Sequence, residues 1–500
     1  MSTTPAAVPA KAKLRLGLRA WMEAVLVECE RAAAGFDADS VHDLRVAIRR
    51  CRFLADGLMA MDPDSSWKQM RKAGKKLFRA LSDLRDMHVL QQWVEKLSDA
   101  DDPVAVKLLA HVQAREAECK DEALRDLQQF DRKQWRQWSR ILPRRAARMR
   151  PGSVVFKHLA LERWTAAYDL HKRAMHTRSQ TALHELRIGI KSFRYTVENF
   201  LPREHAGWGA DLKDLQDFLG EIHDLDVLWN TAVQVAAFPD PESRSRWREK
   251  LSLERSKRLD RYRERTVGKQ SLWRVWRAEL PSGPQLRAAA MARLRIWASY
   301  LDPDFLHSRR VAQLALLLYD GLRQAGLIAQ SPEHDARAVL HAAALLHDVG
   351  KTQGDRAHHK DSSRMIRNLA PPLGWDAREL QLAAFVARYH RGALPRPRQK
   401  SLQLLDLPER QVALQLAGVL RLTNSLDTRN GTEPRLKVGL DDKVVLIQTA
   451  GYSPLDRSAE EIAAARHLLE VVLRQPVLVR RLRETAPGRS PKVEAHSSGL

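Results

Sequence analysis

A mainly all-α chain in two domains is the fold class the sequence predicts, and three observations carry it. The chain has 500 residues, more than one hydrophobic core usually serves. Its apolar residues make up 44% of the total and recur at helical spacing from about Leu14 onward, enough to fill real cores. Two segments of the first 300 residues also recur, in order, later within that same stretch.

The elements follow in order. Residues 1–13 read as a flexible leader with no apolar h-region, so no signal peptide is expected. Amphipathic helices fill a first domain, 14–280, with breaks expected near 62–64, 101–103, Pro143, 151–152, Pro202 and 239–243. The densely charged stretch after the last break, to Gln270, reads as a solvated helix or an exposed basic surface. A linker is expected at 281–294, where Pro281, Ser282, Gly283 and Pro284 cluster. The second domain, 295–480, is helical to about Asn430. A β-hairpin signal follows over 435–438 and 443–449, separated by Gly439 and two aspartates, and then a helix over 458–474. Residues 481–500 form a polar tail.

Charge narrows the function. The net charge is +23, with 55 Lys and Arg against 39 Asp and Glu in residues 1–300, and 29 against 22 in the rest. An excess of this size attracts polyanions. The acidic residues are interspersed, which excludes a disordered basic tail. Cys29, Cys51 and Cys119 include no CxxC pair and are too scattered for a disulfide framework, so a reducing compartment is expected. No apolar run approaches the length of a membrane span.

The repeat gives the charge a pattern. VHDLRVAIRRCRFLADGL (41–58) matches LHELRIGIKSFRYTVENF (183–200) at an offset of 142, and LRDMHVL (84–90) matches IHDLDVL (222–228) at an offset of 138. At about 100° per residue, His42, Arg45, Arg49 and Arg52 share one helical stripe, with Leu44, Ile48, Cys51, Leu54 and Leu58 on another face. His184, Arg187, Lys191 and Arg194 repeat it. Two rows of like charge repel unless an anion compensates them. Arg forks, Lys point charges and protonated His suit a chain of phosphates, which offers charge but no bases to read. Lys72 and Lys76, in a basic run at 68–79, are expected to extend that surface.

These helices resemble the signature helices of the CHAD domain, the conserved-histidine α-helical domain, and LGEIHDLDVL (219–228) resembles its other recurrent motif. The resemblance covers about residues 10–280. It implies two pseudo-symmetric helical halves around a basic groove that binds inorganic polyphosphate, with no catalytic role. The first repeat departs at its second motif, with Ser82 for Gly220 and His88 for Asp226, so the symmetry is expected to be inexact.

The second domain carries a different constellation. His347 and Asp348 sit together in LLHDVGK after an apolar helical run, His307 opens an earlier helix, and Asp427 closes a later one. Two imidazoles and two carboxylates suit one divalent ion: Mn, Fe, Co, Zn or Mg. His359 and His390 are the candidates for a second ion, with Asp348 bridging. Lys351, one turn after Asp348, is a candidate contact for substrate phosphate, with Arg388 and Arg391 as further anion contacts.

HSRRVAQLALLLYDGL (307–322), ALLHDVGK (344–351), HHKDSSRMIRN (358–368), ARYHRGALP (387–395) and LRLTNSLD (420–427) resemble the HD superfamily of metal-dependent phosphohydrolases. They are most similar to the C-terminal helical domain of the exopolyphosphatase and guanosine-pentaphosphate phosphohydrolase family, over about residues 295–480. The resemblance implies hydrolysis of polyphosphate or a phosphorylated guanine nucleotide. Asp361 stands where that pattern often has a further histidine. In that family the chemistry is attributed to an actin-like fold N-terminal to this domain, and the glycine-rich phosphate loops of that fold are missing here.

The leading expectation is therefore a cytoplasmic polyphosphate-binding protein, associated with polyphosphate granules, that carries a phosphohydrolase domain. A non-enzymatic polyphosphate scaffold is the alternative. A nucleic-acid binder ranks third, because no aromatic residues interleave with the basic stripes as stacking platforms.

Overall fold

The computed structural model describes residues 17–99, 101–328, 335–427, 433–450, 452–455 and 458–482. The expected leader to Lys13 and the expected tail from Arg483 onward lie outside them, while Arg481, the first residue of that expected tail, closes a strand. The chain is mostly helical and divides into two compact units, residues 1–292 and 293–500.

In the first unit, five helices are followed by five counterparts. The first set is α1 (Leu18–Gly35), α2 (Ala38–Leu58), α3 (Ser65–Leu97), α4 (Pro103–Gln129) and α5 (Arg132–Ala146). The second is α6 (Val154–Thr177), α7 (Gln180–Phe200), α8 (Pro202–Gln234), α9 (Pro241–Thr266) and α10 (Leu272–Ala278). The repeated segments are equal in length: α2 and α7 have 21 residues each, α3 and α8 have 33 each. Their starts are matched too. The Asp37 side chain accepts backbone N–H bonds at the head of α2, and Ser179, 142 residues later, does so for α7. The halves meet where α2 packs on α7 and α3 on α8. One shared core joins Leu90 and Val94 of α3 to Leu225 and Leu228 of α8, with Trp247 of α9.

Most expected breaks have a local cause. Asp102 and Asp240 cap α4 and α9, each followed by proline in the first turn. Pro143 is a correction: it lies inside α5, which continues to Ala146. Its missing N–H forfeits one i→i−4 bond, and the helix ends three residues later. The charged stretch after 243 is also packed on one face, because Trp247, Leu251 and Tyr262 of α9 are buried.

Across the expected linker, α11 (Gly283–Leu301) is helical from Gly283 onward. The second unit continues with α12 (Phe305–Gln324), α13 (Ala336–Leu346) and a short 3-10 turn, Val349–Gln353. Next come α14 (His358–Arg367), α15 (Ala377–Arg388), α16 (Lys400–Gln403) and α17 (Leu407–Leu426). Capping boxes at Asp376/Glu379 and Asp406/Glu409 fix the starts of α15 and α17.

The hairpin forms as β1 (Leu436–Asp441) antiparallel to β2 (Val444–Thr449). Gly439 lies inside β1, and the turn is Asp442–Lys443, both at positive φ. After α18 (Ser458–Leu473), a third strand, β3 (Val477–Arg481), pairs parallel to β2. The sheet is therefore mixed and three-stranded rather than a lone hairpin. Val477 and Val479 are buried while Arg480 and Arg481 are exposed, an alternation too short to stand out in sequence. No helix among the described residues is long and apolar enough to cross a membrane.

Candidate functional site

Two groups of side chains stand out, one in each unit. In the first unit, packing of α2 on α7 brings the basic rows together. The Arg49 guanidinium lies 5.7 Å from the Tyr195 ring, and Arg194 lies 5.4 Å from the same ring. Phe53 stacks on Tyr195 at 3.9 Å. Burial lowers the Lys191 ammonium to about 8, and the charges of Arg187, Arg49 and Arg45 add to the shift. Arg45 donates to the Ser82 hydroxyl at 3.4 Å, and the Arg52 guanidinium covers the Phe78 ring at 4.7 Å. His184 approaches His223 of α8 at 3.4 Å, while His42 is exposed beside Arg45.

Not every expected member joins this face. Lys76 turns to α4, where Asp126 binds it at 2.6 Å and Gln129 at 2.9 Å, and Lys72 is exposed on α3. Arg194 also reaches Glu198 at 3.8 Å.

In the second unit, donors from four separate elements converge on Asp348. His347 ends α13 and is fully buried. Its Nδ1 lies 2.8 Å from the Ala344 carbonyl, so that carbonyl accepts the ring N–H and leaves Nε2 bare. His358 does the same with the Asp355 carbonyl at 2.8 Å, and His390 with the Ala387 carbonyl at 2.8 Å. The three Nε2 atoms stand 3.5, 3.1 and 3.6 Å from Asp348 oxygens. Those of His358 and His390 lie 3.3 Å apart. Nε2 of His347 is buried with no hydrogen-bond partner. Imidazoles locked by Nδ1–H to carbonyl oxygens, with lone pairs aimed at one carboxylate, match the chemistry of a cation site. Two buried groups could hold a metal ion: His307, His347 and Asp348, and Asp348, His358 and His390.

Electrostatics agree with that geometry. Burial lowers the His347 and His390 imidazoles, which favours the neutral, ligating form. Burial would raise the Asp348 carboxyl, but the imidazoles around it and the Lys351 ammonium hold it far below the carboxylate range.

Glycine builds the site. A Cβ on Gly350 would fall 2.3 Å from the His358 carbonyl oxygen and 2.5 Å from the Ser362 nitrogen. Only glycine lets the turn after Asp348 press onto the start of α14, where Gly350 donates its N–H to the Ser362 hydroxyl at 2.8 Å.

The other expected site residues are placed as follows, with Asp427 lining the same cavity as His307 and Asp348. His358, rather than His359, reaches Asp348, because one residue turns a helical side chain by about 100°. His359 sits instead beside Gly392, whose Cβ position is 3.1 Å from its Nε2. Asp427 lies outside both donor groups: its oxygens bind His307 Nδ1 at 2.6 Å and Arg310 at 2.8 and 3.0 Å. It orients His307, whose Nε2 lies 3.1 Å from Asn424 Oδ1. Arg388 lines a separate cavity with Arg367, Arg378 and Phe385. Asp361 is tied to Arg364 at 2.7 Å.

The donors open into a cavity of about 680 Å³, bordered by Lys351, Arg391 and Arg421. Lys351 is ion-paired to Asp348. Arg421, which sequence reasoning missed, donates to the carbonyls of Gly392 at 2.7 Å and Tyr389 at 3.3 Å, bracing the turn that carries His390. Nothing in its own segment marks it; only the fold of α17 beside that turn does.

Comparison with known proteins follows this division. Residues 17–233 match the CHAD domain, and residues 292–452 match Ppx/GppA phosphatase, domain III. A bifunctional uridylyltransferase/uridylyl-removing enzyme of Nitrobacter winogradskyi is 30% identical over 151 residues, spanning 27% of this chain and 15% of that protein. With its equal-length repeated helices in one unit and its buried His/Asp cluster in the other, the chain joins a CHAD domain to an HD-like Ppx/GppA phosphatase domain III.

Proposed function

We propose that the protein binds inorganic polyphosphate through the facing rows of α2 and α7 and hydrolyses a phosphoanhydride or phosphoester at the His/Asp centre. The substrate is polyphosphate itself or a phosphorylated guanine nucleotide. One observation carries the enzymatic part: three histidines fixed through Nδ1 turn bare Nε2 atoms onto one buried carboxylate, beside a cavity edged with cations. His307, His347, Asp348, His358 and His390 would hold one or two divalent ions, with Asp348 shared between the groups. A divalent ion bound there supplies Lewis-acid chemistry to a phosphoryl group and a nucleophile at neutral pH. Lys351 and Arg391 offset charge on the phosphate, Arg421 holds the His390 turn in place, and Asp427 holds the His307 ring.

The test measures metal content and phosphate release in parallel on the full chain. Substrates are long-chain polyphosphate, guanosine tetra- and pentaphosphate, and a cyclic nucleotide. Bound metal with release above that of the Asp348→Asn protein is expected. Neither metal nor release sinks the enzymatic reading.

A scaffold reading has one observation in its favour. Asp348 is paired with Lys351 and Asp427 with Arg310, so both carboxylates have partners within the chain. It predicts polyphosphate binding with no metal uptake.

A further inference from the structure

The two repeats match in backbone but differ in the charge they set against the basic rows. In the first repeat, a groove of about 390 Å³ lies beside Arg45. Three fixed cations, Arg45, Arg85 and Lys120, face two carboxylates, Asp39 and Glu116, and the imidazoles of His42 and His88 add further donors. In the second repeat the groove lies at a different place on α7 and α8, is about 240 Å³, and sets Arg187 and Lys191 against Asp217, Glu221 and Asp224, whose counterparts in the first repeat are Arg79, Asp83 and Asp86. One groove has a cation in excess before its histidines are counted. The other has a carboxylate in excess.

At corresponding positions of the repeat the first half is also the more cationic. At the 138-residue offset, Arg85 corresponds to His223, His88 to Asp226 and Arg79 to Asp217. His223 is drawn against His184, and Asp226 is drawn to Arg255 of α9 at 3.5 Å. His88 instead faces Glu116 of α4 at 3.2 Å, and the same carboxylate holds Lys120 at 2.8 Å. Ser82 accepts from Arg45 at 3.4 Å, whereas Gly220 offers Arg187 no side-chain partner. The first repeat therefore holds its arginine in place and brings a lysine and a histidine from two further helices beside it.

An extended row suits the interior of a phosphate chain, where each phosphoryl group carries one charge. A groove with donors from α2, α3 and α4 suits a terminus, which carries more charge and more acceptor oxygens on its last phosphoryl group. We propose that the first-repeat groove, with Arg85, His88 and Lys120, is a site for the end of a condensed phosphate: the terminus of a long chain, or a free short one such as tripolyphosphate. It rests on the reading that the α2 and α7 rows bind polyphosphate. It adds that the halves are unequal and that a bound chain has a direction.

Calorimetric titration of the full chain tests it with three probes: inorganic tripolyphosphate, long-chain polyphosphate, and long-chain polyphosphate with both ends blocked as phosphoramidates. Arg85→Ala with Lys120→Ala should weaken tripolyphosphate by about tenfold or more per cation removed. His88→Asp, which installs the second repeat's residue, should weaken it in the same direction. Asp217→Asn, in the other groove, should cause no loss. End-blocking that weakens the long chain assigns the groove to chain ends; end-blocking without effect assigns it to free short phosphates. The proposal falls if tripolyphosphate binds both groove variants as tightly as the unaltered protein, or if the unaltered protein binds long chains but no tripolyphosphate. Failure to bind long chains at all removes the parent reading instead, and circular dichroism of each variant separates lost binding from lost fold.

Discussion

The basic face of the first unit and the His/Asp centre of the second are built in opposite ways. The face is made along helices: His42, Arg45, Arg49 and Arg52 share one stripe, and α7 repeats it. The centre is made between elements, with donors from the start of α12, the end of α13, the start of α14 and the turn after α15. The face keeps its cations partly exposed beside the stacked rings of Phe53 and Tyr195, whereas every donor of the centre is buried. A face made of many similar charges should lose function in increments. A centre made of single converging atoms should fail at one substitution.

The largest expected effect lies on the face, when the increments are removed together. Arg45→Ala, Arg49→Ala, Arg187→Ala and Lys191→Ala combined should weaken long-chain polyphosphate at least about a thousandfold at low salt, each lost charged contact being worth ~1.5–3 kcal/mol. Helical content should be unchanged by circular dichroism. Near-native affinity in a filter-binding titration would show that the rows are only a solvated surface.

At the centre, one substitution should suffice. Asp348→Asn keeps the shape but removes the charge that both donor groups share, so metal content should fall to background and turnover with it. Lys351→Ala should leave the metal and raise KM. If elemental analysis finds equal metal in the Asp348→Asn protein, the carboxylate is not the shared donor. A smaller loss is expected behind the donors: Asp427→Asn should weaken metal by about 10–100-fold through the His307 ring.

Gly350→Ala sharpens the contrast further, because it alters no donor. Its new methyl meets backbone within 2.5 Å, so the turn or α14 must shift. A stability loss of about 1–3 kcal/mol is expected, together with a fall in metal content. Unchanged melting and metal content would mean that the turn tolerates the shift.

The smallest effect is one of pH. Burial and the charges of Arg187, Arg49 and Arg45 lower Lys191 to about 8, so it loses its proton as pH rises through that value. Polyphosphate affinity should therefore decline between pH 7 and 9. Lys191→Arg, charged throughout that range, should flatten the profile. Parallel slopes for the two proteins would place the titrating group elsewhere.

How far each region could be read in advance follows from the same difference. Helical periodicity alone placed the two rows on α2 and α7, and the repeat offset announced that the halves would pack as counterparts. Lys76 pairs with Asp126 on another helix, and no local spacing reports that. Proline at 143 predicts a break because it removes an i→i−4 bond, yet α5 runs on for three residues past it before ending at Ala146. The strand Val477–Arg481 went unread because its five residues gain stability only by pairing with β2.

The sequence by itself determined the helices, their caps, the repeat, the charge rows and the residue types gathered in each half. All of these depend on neighbours within one or two turns, where spacing is geometry. The tertiary structure alone decided that His358 and not His359 meets Asp348, that Asp427 stands behind His307, that Arg421 braces the His390 turn and that the two grooves carry opposite excess charge. Each of these turns on which way a side chain faces when two distant segments close to within about 3–4 Å. That is fixed by packing contacts such as Gly350 against α14, and those contacts exist only once the chain has folded.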